Sequence, residues 1–146
     1  MGRKIFTFLA VVAVISLLVA PAAIAGGKGK GGGSSIWIED SLTAASADGA
    51  MHYTDRVMFG YSSSYTDNAG RGPWIELRCT QNGRVVYREW RAGFEGGYMY
   101  GEPHNVGPSL AWDGTAEADC TGILGHYSKN FNKFMKDATV DFDVMP

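Results

Sequence analysis

Three sets of residues in this chain have types that could do chemistry. The two cysteines, Cys79 and Cys120, could form a disulfide, supply a nucleophile or ligate a metal. No CxxC accompanies them, and two cysteines alone do not make a zinc site. His52, His104 and His126 are scattered, with no HExxH or GxSxG motif beside them. Surface or hydrogen-bonded histidines are the ordinary outcome of such a pattern, and convergence on a metal is the rarer one. Asp113 and Asp119 lie as near in sequence as a general acid and base could. Asp113 before Gly114 reads more simply as a turn residue, and Asp119 as an outward strand residue. No catalytic residue, metal ligand or cofactor is expected. The aromatic rings offer a different use. Trp74, Trp90, Tyr98 and Tyr100 are flat rings of the kind that stacks on sugar faces, although aromatics on strands more often serve packing.

The element that must position most of these residues is Pro73 to Trp90, PWIELRCTQNGRVVYREW. It holds two β-type runs, 74–80 and 84–90, around the turn residues Gln81, Asn82 and Gly83. A two-residue Asn82-Gly83 loop sets Glu76 opposite Glu89 and Arg88 beside Leu77. A three-residue loop instead pairs Cys79 with Val85, Leu77 with Tyr87, Glu76 with Arg88 and Trp74 with Trp90. The cross-strand pairs favour the three-residue loop. One face then carries Ile75, Leu77, Cys79, Val85 and Tyr87. The other carries Trp74, Glu76, Arg88 and Trp90, an indole pair beside a charged pair. That second face, with Tyr98 and Tyr100, is the candidate binding face.

Further strands follow from alternation. Ile36 to Ile38 is the first. Tyr53, Asp55, Val57, Phe59 and Tyr61 share one face of the next, and Ser62 to Gly72 is a polar loop. Ala92 to Gly107 is rich in Gly and aromatics and has no clear period. Leu110 to Trp112 ends a strand, and Thr115 to Leu124 alternates cleanly with Ala116, Ala118, Cys120, Gly122 and Leu124 on one side. The small inward residues leave room for the Trp112 indole. Phe131, Phe134 and Met135 have helical spacing and suggest a short helical turn within Ser128 to Asp137. Val140, Phe142 and Val144 face inward in the last strand, with Asp141 and Asp143 outward.

The N-terminus sets the compartment. Arg3 and Lys4 precede an apolar run from Ile5 to Val19, and Ala23-Ile24-Ala25 has the small-x-small form of a cleavage site. Residues 1–25 therefore read as a signal peptide cut after Ala25. An uncleaved anchor is the alternative, since 21 apolar-rich residues are about enough to span a bilayer. Residues 26–35 (GGKGKGGGSS) are a flexible linker, and residues 36–146 form one domain. The whole chain has 13 Lys and Arg against 15 Asp and Glu. Removing Arg3 and Lys4 leaves 11 basic groups, and beyond Lys28 and Lys30 only 9 remain against the same 15. This acidic balance argues against nucleic acid and against adhesion to anionic lipid, so no membrane contact is expected after signal cleavage.

In an exported chain with no third thiol, two inward cysteines on separate strands are expected to pair. Two such cysteines, with Trp112 and about seven strands, resemble an immunoglobulin-like β-sandwich. More narrowly, Pro73-Trp74…Cys79-x-Gln81-x-Gly83-x-Val85-Val86-Tyr87, then Leu110-x-Trp112-x-Gly114-x-Ala116-x-Ala118-x-Cys120, then Phe142-x-Val144, are similar to secreted β-sandwich proteins of actinobacteria and related phage-borne domains. The resemblance implies an all-β fold and an extracellular location, and no activity. Ala118 stands where the immunoglobulin corner has tyrosine, and the tight turn after Cys79 keeps consecutive strands in one sheet. The function expected is a secreted, non-catalytic binding or structural module with an extracellular protein or polysaccharide as partner. A carbohydrate-binding module is the alternative, and a secreted hydrolase or inhibitor a further one. The sequence sets no oligomeric state.

Overall fold

The computed structural model describes residues 33–40, 43–65, 71–93 and 103–146. The expected signal peptide and most of the linker lie outside these residues, as do Tyr98 and Tyr100. The described chain is all-β. Its strands are β1 (Ser35–Ile38), β2 (Arg56–Val57), β3 (Phe59–Ser62), β4 (Trp74–Gln81), β5 (Arg84–Ala92), β6 (His104–Asn105), β7 (Ala118–Tyr127) and β8 (Phe134–Val144). β1 starts one residue before the expected domain boundary. The buried Ser34 just ahead of it is already tied to Ser64 through their hydroxyls at 3.1 Å.

One antiparallel sheet, in the order β5-β4-β7-β8, forms the main layer. The β1–β3 ribbon and the β2–β6 pair lie over one of its faces. Alternation explains which face. Ile75, Leu77 and Cys79 of β4 are fully buried, as are Cys120 and Leu124 of β7 and Val140 and Val144 of β8. Ile36, Ile38, Phe59 and Tyr61 descend on them from the ribbon. Phe59 is seated where β7 has no side chain. A Cβ at Gly122 would lie 2.5 Å from the Phe59 ring, so glycine there permits the close approach of the two layers. Trp112 is buried at one end. Tyr53 stands edge-on to it at 4.9 Å, and its Nε1–H donates to the Ala116 carbonyl at 3.3 Å.

Cys79 and Cys120 are bonded, as expected. They lie directly opposite each other on the neighbouring strands β4 and β7, with Cα atoms 4.0 Å apart. The bond therefore ties two strands within one sheet.

The register of the β4–β5 hairpin differs from the expected one. Gln81 pairs with Arg84 across a two-residue Asn82-Gly83 turn, both of whose residues have positive φ (50° and 75°). That is the twist-matched turn for which Asn-Gly is the best sequence. The expected Glu76–Glu89 clash is then removed by a β-bulge. Thr80 pairs with Val85 but Cys79 with Tyr87, so Val86 is the extra residue. Beyond the bulge Glu76 faces Trp90, Trp74 faces Ala92, and Arg78 faces Arg88. Trp74 and Trp90 are thus diagonal neighbours and not a direct pair. Val85 turns out to solvent at 48 % exposure, and Val86 is buried in its place.

Two further expectations are corrected. Phe131, Phe134 and Met135 do not form a helical turn: Phe131 sits in the β7–β8 loop at φ 56°, and β8 starts at Phe134. The strand expected from Thr115 starts at Ala118, because Asp113 accepts hydrogen bonds from the Thr115 amide and hydroxyl and holds residues 113–115 in a turn.

Candidate functional site

The outer face of the four-stranded sheet, opposite Cys79, holds the residues singled out as a binding face. Glu76 is buried there at 1 % exposure. Its Oε1 accepts from Arg78 at 2.7 Å and from Arg88 at 2.8 Å. The Glu76–Arg88 pair exists, but diagonally, and the carboxylate bridges two arginines that the register sets opposite each other. One buried charge thereby neutralises what would be a repulsive cross-strand pair.

Trp74 and Trp90 are both half-buried. Trp90 packs edge-on against Phe134 with centroids 4.8 Å apart, and lies near-parallel to Tyr127 at 6.4 Å. Trp74 meets Tyr127 edge-on at 6.4 Å. Trp90 and Phe134 belong to β5 and β8, the two edges of the sheet. Rings on opposite edges can touch only because the twisted sheet coils and brings the β7–β8 hairpin across its own outer face. Glu76 and Ile123, paired across β4 and β7, are both buried on this face. Tyr127, Phe131 and Phe134 were not singled out from the sequence. Tyr127 falls between the segments with a clear period, and the helical spacing of the other two hides their relation to the indoles.

The rim of this cluster is exposed. Phe131, 6.1 Å from Tyr127, is 52 % exposed, and Met135, 39 % exposed, pairs with His126 and points from the face of β8 opposite Phe134. The loop that presents Phe131 is organised by Ser128, whose amide donates to the Lys133 carbonyl and whose hydroxyl accepts from the Lys133 amide and donates to Asn130 or Asn132. Lys129, Lys133 and Lys136 surround it, all exposed, and they are the only lysines after Lys30. No carboxylate lies between residues 127 and 136.

The histidines do not converge. Each lies beside different carboxylates. His126 Nδ1 is 2.8 Å from Asp137 and under the stacked Tyr65 ring, and His52 lies beside Asp48 and Asp55. The third, His104, is completely buried on β6, with Nδ1 2.9 Å from Glu89. The β5 bulge creates this last pair by turning Glu89 to the inner face. Arg91 Nε and one terminal nitrogen also donate to Glu89, and the Tyr87 hydroxyl donates at 3.3 Å. Burial pushes the Glu89 carboxyl up, but the bonds and charges of His104 and Arg91 outweigh it and leave it below its ordinary value. Burial holds His104 below the usual imidazole range, against the pull of Glu89, so its ring is neutral at pH 7. Burial and the Glu89 charge push Tyr87 up to about 12. This network is closed off from solvent at His104 and presents no nucleophile. Among the described residues no group of three His, Cys, Asp or Glu side chains could hold a metal ion, and no helix is long and apolar enough to cross a membrane.

Compared with protein-family models, curated proteins and solved structures, the chain matches none.

Proposed function

We propose that this chain is a secreted, non-catalytic binding module that engages its partner through the β7–β8 end of the outer sheet face. The observation that carries the reading is the exposed Phe131, with Lys129, Lys133 and Lys136 exposed at the same end of the hairpin and the packed rings of Trp90, Tyr127 and Phe134 behind it. An apolar centre with a charged rim is the usual anatomy of a protein-binding surface, and aromatic anchors supply most of its energy. The disulfide supports export, because such bonds persist in oxidising compartments. The two layers support an immunoglobulin-like sandwich as the architecture, here with the bond inside one sheet where immunoglobulin domains place it between sheets.

A polysaccharide partner is the second reading, favoured by the near-parallel Trp90 and Tyr127 rings. Most of the other rings meet at steep angles and offer edges to one another, which suits a packed anchor better than a flat sugar platform. The test is binding of labelled residues 26–146 to the cell-surface fraction and to insoluble polysaccharides. Binding that is lost in Phe131→Ser with an unchanged melting temperature supports the protein-binding reading. Loss in Trp90→Ala on polysaccharide alone would replace it with the sugar reading.

A further inference from the structure

The exposed large hydrophobic side chains among the described residues fall at two places. Phe131 and Met135 lie at the β7–β8 tip; at the other end of the sheet Val85 and Leu110 lie by the β5 edge and Met145 by the β8 edge. The Ser109 hydroxyl donates to the Val86 carbonyl, which ties the turn carrying Leu110 to the β5 edge next to Val85. Met145 directly follows β8. The charges divide the same way. Around the tip stand Lys129, Lys133 and Lys136, with no carboxylate among residues 127–136 and with the next residue, Asp137, engaged by His126. At the far end Asp113, Glu117, Asp119, Asp141 and Asp143 are all exposed, with Arg84 at the adjoining turn and Arg78 and Arg88, both held by Glu76, further along the sheet. Asp119 is set directly opposite Asp143 in the β7–β8 ladder, where like charges destabilise. Lys136 and Asp143 are seven residues apart on one strand, about 23 Å. They are too far apart to neutralise each other within a copy.

We propose that the chain associates with itself head to tail, the lysine-bearing Phe131 tip of one copy docking on the Val85–Leu110 edge and the acidic strand ends beside it in the next. This rests on the β7–β8 end being the binding surface and identifies its occupant. Each end has exposed apolar side chains, each has charges beside them, and the prevailing charges are of opposite sign. Because the two surfaces differ, the contact is heterologous, and repetition gives a ring or an open fibre. A lipid surface would meet the lysines equally well, but it leaves the acidic end, with its opposed aspartates, without a role and faces the repulsion of the domain's excess of carboxylates.

The experiment is sedimentation of residues 26–146 over a range of concentration and salt, with two charge-reversed variants. One carries Lys129→Glu, Lys133→Glu and Lys136→Glu, and the other Asp119→Lys, Asp141→Lys and Asp143→Lys. The wild-type mass should rise with concentration and fall back with added salt. Each variant alone should stay monomeric, with its fold checked by circular dichroism, and their equimolar mixture should associate again because both contacts are restored in alternation. Leu110→Asp, a single exposed change, should also give a monomer. A wild-type chain that stays monomeric at every concentration overturns the proposal, and so does a mixture that fails to associate. Monomeric wild type that still loses cell-surface binding on Phe131→Ser would overturn only the occupant. Lysine-dependent binding of that monomer to phosphatidylglycerol vesicles would assign the tip to lipid.

Discussion

Reduction of the Cys79–Cys120 bond isolates one contribution to stability. The two Cα atoms already face each other in the β4–β7 ladder, and the strands stay paired by backbone hydrogen bonds when the bond is cut. The effect should therefore fall on the unfolded chain, which regains the freedom of a loop with a sequence separation of 41. The chain-entropy relation puts this at about 4 kcal/mol. A domain of about 110 residues unfolds with an entropy near 0.23 kcal/mol/K, so the loss corresponds to a fall in Tm of about 17 °C. Calorimetry of residues 26–146 with and without reductant measures it. The oxidised protein should also resist alkylation. A fall of under about 5 °C would mean that the unfolded chain already holds the two cysteines together, and the entropic reasoning would be wrong.

Other outcomes follow from the buried charges. Glu76→Gln keeps the shape but leaves Arg78 and Arg88 facing each other over a neutral amide, and should cost about 2–4 kcal/mol in chemical denaturation. Arg88→Met should cost under about 1 kcal/mol, because Arg88 is half exposed and Arg78 still holds the carboxylate. His104 has a folded pKa below its ordinary 6.5, so in that window the unfolded chain binds more protons; stability should be complete above about pH 6.5 and fall as the pH drops below it. Glu89, also lowered, adds a further loss below its ordinary 4.5, whereas Tyr87 acts at the alkaline side, where stability present below pH 10 is lost toward about 12. Denaturation midpoints against pH check this, and His104→Gln should flatten the slope just below pH 6.5; an unchanged slope would contradict the assignment.

Alternation alone made most of the inner face legible, although Ala116, expected inward, lies before β7 and is exposed. Ile36 and Ile38, Val57, Phe59 and Tyr61, Leu77 and Cys79, and Val140 and Val144 are where period-two reading places them. The disulfide was legible for the same reason, since both cysteines keep the inward parity. The hairpin register was not. Choosing between two regular registers missed the third solution, in which an Asn-Gly turn is combined with an extra residue at Val86 that shifts every later partner by one. A bulge has no composition signature of its own here, and its consequence, Glu89 turned inward to His104, joins residues from separate elements. The β7–β8 tip was hidden by coincidence of spacing. Positions 131, 134 and 135 match a helical face, but a loop residue followed by the first two residues of a strand has the same spacing. That the tip reaches Trp90 depends on the coil of the whole sheet, a property that no local window carries.

The most direct measurement is backbone hydrogen exchange of residues 26–146, read by mass spectrometry from dilute to concentrated solution. Amides of residues 127–136 and those around Val85 and Leu110 should gain protection together as concentration rises, while the β4 and β7 core amides stay as they are. Protection that appears on another surface, with residues 127–136 unchanged at every concentration, would contradict the assignment of the β7–β8 end as the binding surface.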